Sequence, residues 1–288
     1  MAALLRDLRF SVRSLAKNSG FTFAAIITLA LGIGANTGIF TVANAILLKP
    51  FPYQDPEQLI SVDAKDESRD FGCTLLRYEL LRDRTQTLQS VAVWANDNFN
   101  LTGYGEPLQV SVGRVSPNFF SMLGIRPQLG RSFADEDGRP EGAPVVILSN
   151  SFWRSRFGGR SSVIGQTVNL DNAPHTIVGV LPANVEFPFV GPTDIWTPRY
   201  FEYTLMNPQQ LRRGVGYLGM LARLRPRTTM RRAETELAAL NRQYREENPA
   251  APDAGSSVAM VAEPLRDLVV SNVRERVLML TGAVGLVL

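Results

Sequence analysis

The glycines between Gly32 and Gly38 have the spacing of a loop that could bind the phosphates of a dinucleotide. They follow an apolar run, and Glu57 lies about 20 residues further on, where an acidic residue would bind the ribose. A strand of that fold is short, however, and the helix after its glycines carries a polar face. Here the apolar residues continue to Leu48, and Lys49–Pro52 occupies the place of the next strand. The stretch therefore predicts no cofactor site.

Other residues that could do chemistry also lack the required setting. His175 is the only histidine and falls in a predicted strand without a nucleophile signature, which is typical of a core or surface histidine. The acidic loop Asp135–Gly142 lacks the ligand spacing of a calcium loop, so we predict a solvated turn. Cys73 is the only cysteine, which excludes an internal disulfide and a cysteine-based zinc site. No P-loop motif occurs. We predict no catalytic residue, no metal and no cofactor, and hence no enzyme.

The element that carries the glycines is an uncharged segment from Asn18 to Leu48. A membrane helix needs about 20 apolar residues, and this segment is longer than that. A cleaved signal peptide with Ala43-Asn44-Ala45 at its cleavage site is the alternative. Its hydrophobic region should be about 7–15 residues long, which is much shorter than the segment before that site. The segment therefore predicts an uncleaved transmembrane helix.

Small residues follow one side of this predicted helix, because successive members are three or four positions apart. A stripe of this kind lets a second membrane helix approach closely. We therefore predict a helix-packing face, although small residues are also common in membrane helices in general. The face consists of Ala30, Gly34, Gly38, Thr41 and Ala45.

Basic residues dominate the chain before the membrane segment. Arg6, Arg9, Arg13 and Lys17 lie on an amphipathic helix typical of the membrane surface, with Asp7 as the one acidic residue. Because Lys and Arg are enriched on the cytoplasmic side, the N-terminus is predicted to be cytoplasmic. The net charge of the whole chain, +3 over 288 residues, gives no reason to expect a nucleic-acid partner.

The remaining sequence alternates between strand and helix patterns. A strand, helix, strand sequence after the membrane segment recurs near the end, and this recurrence predicts two α+β lobes. The predicted strands are Leu59–Val62, Val91–Trp94, Leu108–Val115, Val145–Leu148, Val168–Leu170, His175–Val180, Tyr217–Leu224 and Ser257–Val261. The predicted helices are Thr74–Arg84, Pro117–Leu123, Ser151–Phe157 and Thr229–Glu247.

Two further stretches have weaker patterns. Pro182–Pro208 is rich in proline and is predicted to be irregular, with Trp196 buried. Several arginines cluster where the seventh predicted strand meets the last predicted helix, and they form either a solvated helix start or an interaction patch. These are Arg223, Arg225, Arg227, Arg231 and Arg232.

Two groups of motifs resemble one family. RDLRFSVRSL and GFTFAAIITLALGIGANTGIFTVANAILLKPFPYQDPEQL resemble the opening of MacB/FtsX-like ABC transporter permeases, and among them the acidobacterial duplicated orphan permeases. VSPNFFSMLGIRPQLGRSF, VVILSNSFWRSRFGG and VIGQTVNLDNAPHTIVGVLP resemble the periplasmic core domain of the same family. The resemblance extends over essentially the whole chain, in order.

This resemblance implies an α+β periplasmic domain between two transmembrane helices of the bacterial inner membrane. That domain has a porter-like part and an inserted, mostly β subdomain. The expected segments are an interfacial helix (1–17), a transmembrane helix (18–48), the periplasmic core (49–272, with porter-like 54–124 and 216–265 and the insert 125–215) and the start of a second transmembrane helix (273–288), where the apolar run reaches the end of the given sequence.

The implied function is that of a permease subunit in an ABC-type export or mechanotransmission system. The implied partners are a cytoplasmic ATP-binding subunit, further permease helices or a second permease copy, the lipid bilayer and a periplasmic protein. The alternative is a membrane-anchored periplasmic binding or scaffold module without an ATPase partner.

Overall fold

The computed structural model describes residues 18, 20–24, 26–28, 30, 32–34, 51–66, 72–203, 206–212 and 215–269. Phe51–Leu268 forms one compact unit, and the described residues before it belong to another. In that other unit, the described residues from 20 to 34 are helical. The described part of the chain contains no helix that is both long enough and apolar enough to cross a bilayer.

The unit Phe51–Leu268 contains ten strands and five α-helices whose two ends are both described, and a further helical stretch begins at residue 265. The strands are β1 (Leu59–Lys65), β2 (Leu88–Thr102), β3 (Leu108–Val115), β4 (Leu129–Gly130), β5 (Val145–Leu148), β6 (Thr167–Leu170), β7 (Ala173–Val180), β8 (Ile195–Thr197), β9 (Gly219–Leu224) and β10 (Ala259–Pro264). The helices are α1 (Leu75–Arg84), α2 (Phe119–Met122), α3 (Asn150–Phe157), α4 (Pro208–Arg212) and α5 (Met230–Glu247).

All ten strands belong to one mixed sheet. Its order is β10-β1-β9-β2-β3-β8-β5-β7-β4, and β6 pairs with both β2 and β7. The pairs β3–β8 and β5–β7 are parallel, and the other pairs are antiparallel. The predicted α+β class is therefore confirmed for this domain.

Among the described residues, we distinguish two hydrophobic cores along this sheet. In the first core, side chains of α1 and α5 pack on β1, β2, β9 and β10, with Leu81, Leu237 and Tyr244 fully buried. In the second, α3 packs on β3, β5, β6, β7 and β8, with Phe152 and Phe157 in its centre. Strand β2 contributes to both cores, because its first half pairs with β9 and its second half with β3.

Local sequence signals explain several element ends. The hydroxyl of Thr74 accepts from the N–H of Arg77 and caps α1, and the hydroxyl of Ser149 caps α3 in the same way. Gly158, with a φ of 64°, ends α3 in the left-handed conformation that glycine adopts easily. Asp171 and Asn172 both have positive φ, as the tight turn between β6 and β7 requires.

The prediction of two separate porter-like lobes, 54–124 and 216–265, is corrected by the sheet order. Strand β9 lies between β1 and β2, and β1 lies between β9 and β10. Each strand–helix–strand unit therefore places one of its strands between the two strands of the other unit. The two segments thus form one lobe. The expected insert, 125–215, adds β4 to β8 to the same sheet and contributes helix α3.

Two local predictions are corrected as well. The stretch predicted to be irregular contains β8, although Trp196 is buried there as predicted. The acidic loop is not fully solvated, because Asp137 is buried. The Asp137 carboxylate accepts hydrogen bonds from the Arg131 guanidinium (2.6 Å) and from the N–H of Ala134 (2.8 Å). These partners offset the cost of removing the carboxylate from water.

Candidate functional site: the connector

The first and last strands of the sheet are neighbours. Strands β1 and β10 are antiparallel, and Ile60 near the start of β1 pairs with Pro264 at the end of β10. Paired strands lie about 4.8 Å apart. Residues 51–58, which we call the connector, lead into β1, so the connector and the exit from β10 lie at the same end of the sheet.

Arg223 of β9 fixes the connector to the first core. Its buried guanidinium donates to three backbone carbonyls, those of Gln54 (2.6 Å), Asp55 (3.2 Å) and Met122 (2.7 Å). Burial lowers the pKa of Arg223, while the carboxylates of Asp55 and Glu57 oppose this change. Because guanidinium is a strong base, it stays charged and makes charge-assisted hydrogen bonds to all three carbonyls.

Tyr53 fixes the connector to the loop that precedes β8. Its side chain is 5% exposed, and its hydroxyl donates to the carbonyl of Glu186 (2.6 Å). Its ring lies 6.4 Å from the ring of Phe187 and 6.3 Å from that of Phe189. Burial raises the pKa of the Tyr53 phenol, and the charge of Glu186 raises it further, so the phenol remains a hydrogen-bond donor.

The connector therefore contacts β9, which belongs to the first core, and the loop between β7 and β8, which are strands of the second core. Carbonyl hydrogen bonds to a rigid guanidinium and a buried aromatic contact both resist displacement. Residues 53–55 of the connector are therefore held both by β9 and by the loop between β7 and β8.

The predicted helix-packing face is only partly described. Ala30 and Gly34 are exposed helical residues, and a Cβ built on Gly34 meets no atom within 4 Å. Large apolar side chains of the same stretch are also exposed, among them Phe21 (73%) and Ile33 (65%). The other predicted members Gly38, Thr41 and Ala45, and the basic residues Arg6, Arg9, Arg13 and Lys17, lie outside the described residues.

The residues that were candidates for catalysis or metal binding occupy structural positions. His175 is buried in β7, its Nδ1–H donates to the carbonyl of Ala173 (2.9 Å), and burial lowers its pKa. The Cys73 thiol is buried, and burial raises its pKa, so it is a poor nucleophile. Within the described ranges, no group of three His, Cys, Asp or Glu side chains is placed to hold a metal ion.

The arginine cluster separates into two kinds of residue. Arg223 is buried and holds the connector, which the sequence analysis did not predict. A charged residue at an otherwise apolar position of a strand is the signal that could have found it. Arg225, Arg227, Arg231 and Arg232 are exposed around the turn between β9 and α5.

The chain belongs to the family of the MacB-like periplasmic core domain, whose model matches residues 22–240. This finding confirms the predicted resemblance to MacB/FtsX-like ABC transporter permeases, a class of bacterial membrane transport proteins with a periplasmic domain.

Three curated relatives are export proteins. The chain is 29% identical over 92 residues to a probable export ATP-binding/permease protein of Pseudomonas fluorescens. The aligned region covers 32% of this chain and 14% of that protein. It is 34% identical over 73 residues to the probable syringafactin export ATP-binding/permease protein SyfD of Pseudomonas syringae, with 25% and 11% covered. It is 31% identical over 88 residues to the macrolide export protein MacB of Burkholderia lata, with 30% and 13% covered. The alignments thus span a small part of each relative.

Solved structures share the fold. The periplasmic region of MacB from Actinobacillus actinomycetemcomitans matches with a TM-score of 0.53 at 12% identity, covering 75% of this chain and 92% of that one. A domain of a putative permease from Porphyromonas gingivalis matches with a TM-score of 0.56 at 14% identity, covering 74% and 93%.

Proposed function

We propose that this chain is a permease subunit of an ABC-type export or mechanotransmission system. ATP hydrolysed by a separate cytoplasmic ATP-binding subunit would move the periplasmic domain. The observation that carries the proposal is the family match, which begins within the uncharged segment and continues into the domain as far as residue 240. Relatives named as export ATP-binding/permease proteins support the same function.

The connector supplies a physical route for such a movement. A membrane helix that ends at residue 48 leads within a few residues to Tyr53 and to the carbonyls held by Arg223. A shift of that helix along or across the membrane would therefore act on both cores. In this role the domain transmits motion, and the chemistry takes place in the ATPase.

The proposal includes the membrane arrangement expected from the sequence. Residues 1–17 lie on the cytoplasmic surface of the bacterial inner membrane, 18–48 span it, 49–272 lie in the periplasm and 273–288 begin a second membrane helix. The face of Ala30, Gly34, Gly38, Thr41 and Ala45 packs against further permease helices or a second permease copy. Membership of the acidobacterial orphan permeases and a periplasmic partner belong to the same proposal.

Co-purification of ATPase activity tests this function. The tagged full chain is crosslinked in native membranes, purified into lipid nanodiscs and assayed for vanadate-sensitive ATP hydrolysis. We expect hydrolysis to accompany the chain, and trapping with ATP and vanadate to change the protease sensitivity of the periplasmic domain. A chain that purifies without ATP hydrolysis under these conditions would instead be a membrane-anchored binding or scaffold module.

A matched pair of variants tests the connector separately. Arg223→Lys keeps the charge but cannot reach three carbonyls, whereas Arg225→Lys changes an exposed arginine two residues away. Arg223→Lys should retain the associated hydrolysis and lose the vanadate-dependent change in the domain. Arg225→Lys should retain both. If the two variants behaved alike, the connector would have no part in transmitting the movement to the domain.

A further inference from the structure

Three exposed arginines lie close together where β9 leads into α5. They are Arg227, Arg231 and Arg232, which we call the arginine turn. Their guanidinium groups form no ion pair and no hydrogen bond with any other residue that the structure describes. Arginines elsewhere in the domain are paired, as Arg84 is with Glu247 and Arg131 is with Asp137. The arginine turn is therefore a concentration of positive charge without a counter-charge in the described domain.

Positive charge is unfavourable at this position. Arg231 and Arg232 lie in the first turn of α5, where the partial positive charge of the helix repels cations and no acidic residue is present. Glu234 follows on the same helix, but in the described part of the chain it forms no ion pair with either arginine. The three guanidinium groups also repel one another at such short range. An anion from outside the domain would relieve both kinds of repulsion.

The arginine turn lies beside the connector. Leu59, the first residue of β1, pairs with Arg223 near the end of β9, and the turn follows directly. The guanidinium of Arg223 donates to the carbonyls of Gln54 and Asp55 in the connector. Pro226 lines one small cavity together with Gln54 and Asp55. The start of the arginine turn and the connector are therefore neighbours at one end of the sheet.

The length of the chain limits how far the connector can lie from the bilayer. Six residues lead from residue 48, where the proposed membrane helix ends, to Gln54, and even a fully extended chain would span only about 22 Å over that length. Exposed arginines are attracted to a surface of anionic lipids, and at 0.1 M salt this attraction extends over about 10 Å. A membrane surface is thus the nearest large source of negative charge for the arginine turn.

We propose that the arginine turn binds the phosphate groups of anionic phospholipids at the periplasmic surface of the membrane. This inference rests on the proposed membrane helix 18–48. Lipid phosphate oxygens accept hydrogen bonds from guanidinium groups and supply the counter-charge that the domain lacks. The contact gives the domain a second attachment to the membrane, next to the connector.

A fluorescent label on Thr228→Cys tests the contact, because this position lies within the arginine turn. The one native cysteine, Cys73, is buried and stays unlabelled. The full chain is placed in phosphatidylcholine nanodiscs with or without phosphatidylglycerol, and a lipid with a spin-labelled headgroup quenches any label at the membrane surface. We expect phosphatidylglycerol to increase the quenched fraction of the Thr228→Cys label.

A second label position serves as the control. Ser257→Cys is exposed and lies just before β10, whose first residue Ala259 pairs with Lys65 at the far end of β1. That end of the sheet is opposite to the one that holds Leu59 and the connector. The label on Ser257→Cys should therefore show no increase with phosphatidylglycerol.

Two charge variants make the result specific. Arg231→Gln should lower the ratio of quenched to unquenched Thr228→Cys label about fivefold, the effect expected for one arginine near an anionic surface. Arg242→Gln removes another exposed arginine of α5, 11 residues and about 16 Å further along the helix, and should leave the ratio unchanged. Inorganic phosphate at equal ionic strength should not release the label from the membrane.

Three results would overturn the proposal in an incorporated chain. They are equal quenching of the two labels, equal effects of Arg231→Gln and Arg242→Gln, and release by inorganic phosphate, which would assign the turn to a soluble anion. Each of these leaves the proposed export function intact. A chain that does not incorporate into nanodiscs would contradict both the lipid contact and the proposed membrane helix.

Discussion

Arg77 of α1 and Asp253, in the segment before β10, form a buried ion pair with a distance of 2.5 Å between Nε and Oδ2, and both side chains are 1% exposed. The same guanidinium donates to Oδ1 of Asn241 (2.6 Å) and to the carbonyl of Asp253 (2.8 Å). The hydroxyl of Tyr244 donates to the second carboxylate oxygen (2.7 Å). This network joins α1, α5 and the segment before β10 on one face of the first core.

Asp253→Asn should destabilise the domain by about 3–5 kcal/mol, because it leaves a buried guanidinium without its counter-charge. Urea unfolding of the full chain in detergent, followed by tryptophan fluorescence, measures the change. Glu247→Gln is the control, since its pair with Arg84 is 42–43% exposed and contributes little. Equal losses in the two variants would show that the buried network has no special role.

The free energy of unfolding of the domain should depend on pH because of Glu236 in α5. Burial alone raises its pKa, but hydrogen bonds from Thr87, Gln86 and Thr85 outweigh burial and bring the pKa below the usual 4.5. A carboxylate whose pKa is lower in the folded state stabilises the fold above its unfolded pKa. This contribution is lost as the pH falls through the folded pKa.

The free-energy difference between the original chain and Glu236→Gln should therefore be largest at neutral pH and shrink below pH 4.5. Urea unfolding at a series of pH values measures it. Glu234→Gln, at an exposed position of the same helix, should show no such trend. A difference that grows on acidification contradicts the lowered pKa.

Gly219 has no room for a side chain, because a Cβ at this position would lie 2.2 Å from the Trp94 ring. The two residues are paired across β9 and β2. Gly219→Ala should destabilise the domain by about 1–3 kcal/mol through overpacking. Gly255→Ala, whose nearest neighbour would be 3.6 Å away, is the control. In a Trp94→Leu background the cost of Gly219→Ala should fall, and an unchanged cost would place the strain elsewhere.

The proposed topology predicts where reporter enzymes are active. A reporter that works only in the periplasm should be active when fused after Tyr53 or after Asp253. Its matched cytoplasmic reporter should be inactive at both positions. The physical reason is the excess of Arg and Lys before residue 18, which favours retention of that end in the cytoplasm. Cytoplasmic activity at both sites would reverse the orientation.

Gly34→Leu and Gly38→Leu should weaken assembly in membranes, because leucine prevents the close approach of two helix backbones. A side chain at Gly34 meets nothing within 4 Å in the described part of the chain. Leu29→Ala and Ile33→Ala, on another side of the helix, should have a smaller effect. If all four variants associate alike in a membrane assay, the small residues do not form a packing face.

Local structure was predictable where short-range chemistry determines it. Strand β3 has the predicted bounds Leu108–Val115, and α1 begins after the predicted start at Thr74 because the Thr74 hydroxyl caps it. The turn at Asp171 and Asn172 follows from residues that tolerate positive φ. Each of these features depends on neighbours in the sequence.

The interlocked sheet and the connector were not predictable, because they depend on distant residues. The pairing of β1 with β9 joins Ile60 to Ala222, and no local pattern fixes which strand fills that gap. Strand β8 is three residues long and buried throughout, so it has no alternating pattern. The role of Arg223 depends on Gln54 and Asp55, which are far away in the sequence.

The pairing of Ile60 with Pro264 gives the domain the geometry of an interchangeable module. Strands β1 and β10 are the first and last strands of the sheet, and at this pair they lie about one strand spacing apart. Domains whose ends lie close together are tolerated as insertions into loops of other proteins. Evolution could therefore enlarge, shrink or exchange such a domain with little rearrangement of the protein that carries it.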